Sequence, residues 1–287
     1  MKKEIQEYIT YLTPEFIYVP FDSIEKLQLP KNKKVNHNTL LGERDNDKKI
    51  FSPVSGKIVG TSKMSYKSGN ANSLVIENDF IDKKEKLNPT RNLSKTKKSD
   101  IVESLKKYGL DNKINSKTTL VVNSLYDKNY DLKDMVINYE SYEEILEAID
   151  EFMSAFGMKN CYICVSRDDL NSIGAYNKYI NAFLNICMVH SNKKFKDSTC
   201  VFYNVEEILA IHKAISLDYM YDNTILTIND GKPIIVKVKL YTSLVELLEA
   251  LKIAYKTKSI YIDNIKIDNP SNFIIDANVR SVIVKDK

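Results

Sequence analysis

Apolar and polar positions alternate in short runs over the first third of the chain, and the period then lengthens. In Phe51-Ser-Pro-Val-Ser-Gly-Lys-Ile-Val-Gly60 the apolar positions Val54 and Ile58 keep an even spacing, as do Leu74 and Ile76 in Ser73-Leu-Val-Ile-Glu-Asn-Asp79. Even spacing with Gly and Asn punctuation predicts two strands, entered by a turn at Pro53 and Gly56 and joined near Gly69-Asn70. Phe16-Ile-Tyr-Val-Pro20 alternates in the same way. Residues 1–82 are therefore expected to form a compact β module, followed by a basic linker over 83–98.

From residue 99 the spacing becomes helical, with apolar runs between the helices. Ser99 is placed to cap a helix that carries Ile101, Val102 and Leu105 on one face and ends at Gly109. Thr118-Thr-Leu-Val-Val122 is continuous and β-branched, as a strand buried on both faces would be. Ser141-Tyr-Glu-Glu144 reads as a capping box in front of Ile145, Leu146, Ile149, Phe152, Met153 and Phe156, with Gly157 as the stop. A strand at Cys161–Val165, a long amphipathic segment from Asp169 to about Val189 and a strand at Thr199–Tyr203 follow. Alternating strands and helices predict a parallel sheet with helices on both sides over 99–220.

The pattern changes again after residue 220. Thr224–Ile228 and Pro233–Leu240 flank Asn229-Asp-Gly231, a hairpin signal. A short helix is expected behind a Ser243/Glu246 capping box, with Leu244, Leu247, Leu248 and Leu251 inward, and strands at Ser259–Ile262 and Phe273–Ile275. Hairpin, helix and strands over 221–287 read as a small β-grasp unit. The fold class is α/β plus β.

Composition narrows the function classes. The 287 residues are 43% hydrophobic and 28% charged, with a formal charge of +4, an ordinary balance for a chain with several packed domains. No apolar run reaches the roughly eighteen residues of a membrane span. Met1-Lys-Lys-Glu-Ile-Gln-Glu-Tyr has no apolar core of a secretory signal. Four cysteines make no disulfide framework in a chain of this length, and a cytoplasmic location is expected. Lys83 to Lys98 reads as a solvated linker, without the interleaved aromatics of a nucleic-acid surface, so no nucleic-acid partner is expected.

Candidate chemistry is sparse. Cys161-Tyr-Ile-Cys164 resembles a redox or zinc motif, but it lies inside an apolar strand, where residues three apart face opposite ways. With Cys187 and Cys200 it makes no cluster-binding run, so buried structural thiols and no iron–sulfur cluster are expected. His37, His190 and His212 are scattered, and no Ser/His/Asp arrangement emerges. Asn204 and Glu207 are spaced as a capping box for a helix over Val205–Ile215.

The wording SPVSGKIV at residues 52–59 and LVIEND at 74–79 resembles the N-terminal barrel-sandwich module of the C subunit of Rnf electron-transport complexes. The resemblance extends over nearly the whole chain. It implies a barrel-sandwich hybrid module, a Rossmann-like domain similar to the family's FMN- and NADH-binding domain, and a β-grasp unit like SLBB. The family's ferredoxin-like domain with its iron–sulfur clusters would begin near Lys287. Swinging-arm biotinyl and lipoyl domains share the first architecture, but the Met-Lys-Met signature is absent from the hairpin around Arg44 to Lys49.

The family's flavin motifs are eroded here. Its glycine-rich loop corresponds to Tyr108-Gly-Leu-Asp-Asn-Lys-Ile-Asn-Ser116, with one glycine. Of the second motif, Asn123 and Tyr130 match, and Asp134 matches slightly downstream. Of the third, Asn204, Val205 and Glu206 match, while Glu207 replaces a threonine on the FMN phosphate. The resemblance thus implies Asn123, Tyr130, Asp134 and Asn204 as vestigial cofactor positions, with no catalytic or metal-binding residue. The expected function is an accessory or scaffold protein of electron transport that has lost its flavin and iron–sulfur centres and is not itself an enzyme. Its partners would be redox proteins or subunits of an electron-transport complex, with membrane association at most peripheral and through a partner. The alternative is a flavoprotein subunit that binds FMN or NADH and passes electrons to an iron–sulfur partner.

Overall fold

The computed structural model describes residues 8–21, 30–43, 49–67, 69–89, 96–110, 113, 118–125, 132–193, 195 and 197–286. The chain divides into two compact units. One comprises Met1–Lys86, Lys128–Lys133 and Asp222–Lys287, and the other Leu87–Asp127 and Asp134–Tyr221.

In the first unit, β1 (Tyr8–Tyr11) is followed by β2 (Phe16–Pro20), β3 (Lys34–Val35), β4 (Leu40–Glu43), β5 (Lys49–Phe51), β6 (Gly56–Tyr66) and β7 (Gly69–Asn78). Strands β2, β7, β6 and β3 form an antiparallel sheet in that order, and β4 pairs with β5 in a separate hairpin. The alternating apolar positions share one core: Ile17, Val19, Val35, Leu41, Ile50, Val54, Ile58, Leu74 and Ile76. Each such side chain contributes about 1.5–3 kcal/mol when fully buried. Turns at Lys31–Lys33 and His37-Asn38 place Asn32 at φ 72° and Asn38 at φ 68°, where asparagine is tolerated better than other non-glycine residues. Gly56 is required for contact rather than for its dihedral: a Cβ there would lie 2.0 Å from the Glu77 carbonyl oxygen. The tip of the β4–β5 hairpin, residues 44–48, lies outside the described residues.

The second unit contains α1 (Lys98–Lys107), β8 (Thr119–Ser124), α2 (Lys133–Phe156, Asp134 onward belonging here), β9 (Asn160–Val165), α3 (Leu170–Tyr179), β10 (Ile186–His190), β11 (Cys200–Asn204) and α4 (Val205–Ser216). All four strands are parallel, in the order β10-β9-β8-β11. The expected stop of α1 is present in detail. Gly109, at φ 71°, donates to the Lys106 carbonyl at 3.0 Å, and Leu110 donates to the Leu105 carbonyl at 3.0 Å. These are the two bonds of a Schellman cap.

Three expectations for this unit are corrected. Helix α1 starts two residues early, with Lys97 at the N-cap, and Ser99 bonds Asp100 instead of capping. Helix α2 begins at Lys133 rather than behind Ser141, which forms a kink inside it at φ −120° and ψ 22°. Met135, Val136 and Ile137 are buried, and their packing extends the helix ahead of the local capping signal. The segment expected to be helical from Asp169 to Val189 turns at Asn185, φ 64°, and its last part is β10. As an edge strand β10 is only partly buried, so it lacks the continuous apolar run of β8 and β9.

The remaining elements belong to the first unit: β12 (Asn223–Asn229), β13 (Pro233–Lys239), α5 (Leu244–Ala250), β14 (Lys258–Ile262), β15 (Ile265–Ile267) and β16 (Ser281–Asp286). With β1 they form a six-stranded sheet, β1-β13-β12-β16-β14-β15. The β12–β13 hairpin is antiparallel, while β16 runs parallel to β12. Leu244, Leu247 and Leu248 of α5 pack on Val236, Ile260 and Val282 of the sheet. Strand β1 pairs parallel with β13 rather than with the strands that follow it in the chain.

Two further expectations are corrected here. The Ser243/Glu246 box does not form: Ser243 makes no side-chain cap, and Glu246 Oε1 accepts instead from Tyr11 OH at 2.8 Å and the Glu15 amide at 2.6 Å. Phe273–Ile275 is not a strand but a pair of isolated bridges, Phe273 to Ser65 and Ile274 to Ser243. Their burial served tertiary docking, which apolar patterning alone does not distinguish from a strand. Among the described residues, no helix is long and apolar enough to cross a membrane.

Candidate functional site

The parallel sheet sets where a site belongs. The chain moves outward from β8 to β9 to β10, then returns to the other side of β8 to lay down β11. The strand order thus reverses between β8 and β11, the kind of place beyond whose carboxyl ends open α/β sheets bind ligands. Asn123 and Asn204 lie there as register partners. Asp134 is in the first turn of α2, the helix that follows β8, and is buried. The fold thus brings three of the four sequence-derived positions to one end of the sheet. The fourth, Tyr130, lies outside the described residues.

The side chains at this edge have unequal fates. Asn204 caps α4: its Oδ1 accepts from the Glu207 amide at 2.7 Å, and Glu207 Oε2 accepts from the Asn204 amide at 2.8 Å. The capping box read from the sequence is therefore formed. Glu207 Oε1 is also 2.5 Å from Lys113 Nζ. Lys113 is held in turn by its amide, which donates to Tyr203 OH at 3.0 Å, while its ammonium lies 4.6 Å from the Tyr203 ring centre. Asn123 differs, since its buried Oδ1 has no hydrogen-bond partner.

An FMN phosphate at the start of α4 does not fit this arrangement. Two amides at the helix start are already satisfied by side-chain oxygens, and Glu206 and Glu207 place two carboxylates in the first turn. A helix N-terminus attracts anions through free N–H groups and its dipole, and both attractions are answered here from within the chain. Of the loop expected to contact a flavin, 108–116, the described residues are Tyr108, Gly109, Leu110 and Lys113. Its glycine serves the α1 cap.

Beside this edge lies a buried polar group that sequence reasoning missed. Tyr176 OH donates to Asn138 Oδ1 at 2.8 Å, and Asn138 Nδ2 donates to Ser124 Oγ. Asp169 caps α3 through the Ser172 amide at 3.1 Å, and its other oxygen has no hydrogen-bond partner. Burial raises the Asp169 carboxyl pKa, its Ser172 bonds offsetting only part of the effect. Burial also pushes the Tyr176 hydroxyl well up, with Asp169, Cys161 and Asp134 adding to it. The one sequence signal available was the Asp-x-x-Ser spacing of an N-cap at 169–172.

Two histidines, His37 and His212, are engaged by carboxylates within the fold. His37 is buried in the first unit, with Nδ1 2.5 Å from Asp82 Oδ1 and Nε2 3.0 Å from Asp222 Oδ2. The ring thus bridges the two carboxyl groups through its two nitrogens. Lys239 Nζ adds a 2.6 Å contact to Asp222. Burial pushes the Asp222 pKa up, but His37 and Lys239 outweigh it and hold the carboxyl well below the usual range. In the second unit, Glu151 Oε2 receives His212 Nδ1 at 2.6 Å and Ser216 Oγ at 2.5 Å. The carboxylate is central there, so the imidazole does not activate the hydroxyl as a triad requires.

Cys161, Cys164 and Cys200 are buried free thiols and Cys187 is exposed. Burial pushes Cys164 up to about 11 and Cys161 well above its ordinary value, the reverse of an activated thiolate. Among the described residues no group of three or more His, Cys, Asp or Glu side chains is placed to hold a metal ion.

No family model and no curated protein matches the chain. Solved structures similar to it in fold include two of a hydrogenase. The NAD+-reducing NiFe-hydrogenase in the H2-reduced state aligns with a TM-score of 0.50 and 10% identity over 69% of this chain. The air-oxidized state of such a hydrogenase aligns with a TM-score of 0.51 and 10% identity over 66% of it. The alignments take in 49% and 47% of those chains, about half their length.

Proposed function

We propose that the protein is an accessory subunit of electron transport, similar to the Rnf C subunit, which docks a redox partner and carries neither flavin nor iron–sulfur cluster. The observation that carries this reading is the closed start of α4, where Asn204, Glu207 and Lys113 occupy one another. A phosphate would have to displace the reciprocal cap and approach two carboxylates. The fold shared with NAD+-reducing hydrogenase supports a redox setting. The order β13-β12-β16-β14-β15, with β16 parallel to β12, supports the SLBB-like β-grasp assignment. The antiparallel sheet around Gly56 supports the barrel-sandwich one. The setting is cytoplasmic, with any membrane contact made through the partner.

One observation favours the alternative flavoprotein. Asn123 Oδ1 is buried without a donor at the kind of place where dinucleotides and flavins bind in open α/β sheets. The experiment that separates the readings is titration of FMN, and separately NADH, into the purified full chain, followed by flavin fluorescence and calorimetry. No saturable binding is expected at micromolar ligand. A micromolar or tighter FMN complex would replace the accessory-subunit reading with the flavoprotein one. Anaerobically purified protein should also lack acid-labile sulfide.

A further inference from the structure

We propose that the open end of the C-terminal sheet binds a small phosphate ester that carries a ring. Near the start of β14 and the end of β15, Tyr255, Lys256, Lys258, Tyr261, Lys266 and Asp286 border a cavity of about 760 Å³. That volume lies within the range of small-molecule sites, ~300–1,000 Å³. The site is independent of the carboxyl ends of β8 and β11, and the proposal stands or falls separately from the accessory-subunit reading.

The charges favour an anion. Three ammonium groups face the cavity against the carboxylates of Asp268 and Asp286. Among the described residues only Lys258 of the three has a carboxylate within salt-bridge reach, Asp286 at 3.9 Å, and that aspartate is 94% exposed. A long contact to a solvated carboxylate is worth little, so it leaves the ammonium available to a ligand. Lysine supplies strong point-charge contacts to phosphate oxygens. Ser259 and Ser271 add hydroxyl donors to the same wall.

The rings favour an aromatic or sugar portion. Tyr261 stands on β14 opposite Lys266 of β15, and Lys285 Nζ lies 5.7 Å from its ring centre. Lys256 Nζ lies 6.0 Å from the Tyr255 ring, whose hydroxyl is fixed by Glu249 at 2.8 Å. Ile267 and Pro270 supply the apolar wall. Fixed rings beside ammonium groups bind a flat or ring-bearing body with its phosphate on the lysines. Asp268 and Asp286 on the same wall oppose the passage of a long nucleic-acid backbone, which makes a short ligand the better fit.

The test is an amide-resolved NMR titration of the full chain with ADP, glucose 6-phosphate, pyrophosphate and adenosine. Saturable shifts confined to residues 255–271 and 285–286 are expected with ADP or glucose 6-phosphate, and the better of the two identifies the ring. Pyrophosphate should bind more weakly and adenosine not at all. The variant K256A/K266A changes two exposed side chains, should melt like the natural protein, and should weaken binding by about tenfold or more. Four outcomes would overturn the proposal. They are no saturable shift with either ester up to ~10 mM, equal binding of pyrophosphate, unchanged affinity in the variant, and tighter binding of a single-stranded oligothymidylate.

Discussion

Asn123 and Asn204 face each other in register at the carboxyl ends of β8 and β11, yet only one has its side chain fully engaged. Asn204 is locked into the cap of α4, while the buried Oδ1 of Asn123 accepts no hydrogen bond. A buried acceptor without a donor costs about 1–3 kcal/mol. The pair therefore marks the point where the strand order reverses, with the Asn204 side already engaged by the chain's own residues.

That closure predicts how the cap behaves under mutation. Asn204→Ala removes the side-chain acceptor of the Glu207 amide and should cost about 1 kcal/mol, within a range of roughly 0.5–2. Glu207→Thr gives up the reciprocal bond and the contact with Lys113, both partly exposed, and should cost less than about 1 kcal/mol. Urea unfolding of each variant measures both. A Glu207→Thr protein more stable than the natural one would show that the carboxylate is not a structural partner.

Asp222 predicts an acid-sensitive first unit. Its folded-state pKa is depressed, so its contribution is fully present above its ordinary value near 4 and is lost as the pH falls below that. Asp222→Asn leaves Lys239 without its buried countercharge and His37 Nε2 without its carboxylate partner, and should cost about 3–5 kcal/mol at neutral pH. Melting curves between pH 7 and pH 2 should show the gap between the two proteins shrinking below about pH 4. A gap that stays constant through that range would remove the carboxylate from the explanation.

His212 works in the opposite direction. The hydrogen bond it donates to Glu151 raises its pKa against the opposing effect of burial, so the stability it supplies is present below about 6.5 and lost as the pH rises through the folded value. Glu151 is partly exposed, which limits the effect to about 1 kcal/mol. His212→Gln should abolish this alkaline loss while leaving the acid limb set by Asp222 unchanged. Hydrogen exchange of α4 amides at pH 5.5 and 8.5 in both proteins is the measurement.

The thiols predict a simple chemical count. Of the four cysteines, Cys187 is exposed and should react with a disulfide reagent within minutes in the native protein. Cys161, Cys164 and Cys200 should react only on unfolding, since they are buried, and burial raises the pKa of Cys161 and Cys164. Two or more fast-reacting thiols would contradict the buried placement of the Cys161–Cys164 pair. Cys164→Ala should cost about 1–3 kcal/mol through lost packing against Val121 and Cys200.

Local chemistry was legible in the sequence wherever a residue's partner lay within a few positions. The Gly109 stop, the Asn204–Glu207 box, the Asn229-Asp-Gly hairpin and the apolar strands β8 and β9 all follow from spacing alone. Each is marked by residues a few positions apart or by one unbroken apolar run. Spacing also placed Asn123 and Asn204 near the ends of strands, though not beside each other.

What tertiary structure decided is every relationship between distant segments. Glu246 abandoned its local cap because Tyr11 and Glu15 offered two donors across the sheet. Helix α2 ran through Ser141 because buried Met135, Val136 and Ile137 repaid the extra turn. Strand β10 escaped notice because an edge strand buries only part of its surface. His37 met Asp222, and Asn123 met Asn204, through strand order and register. The sequence alone determined the periods, caps and turns, whose energies are local. Strand order and register emerged only when non-local burial outweighed the entropy of closing long loops, a balance that no short window of residues contains.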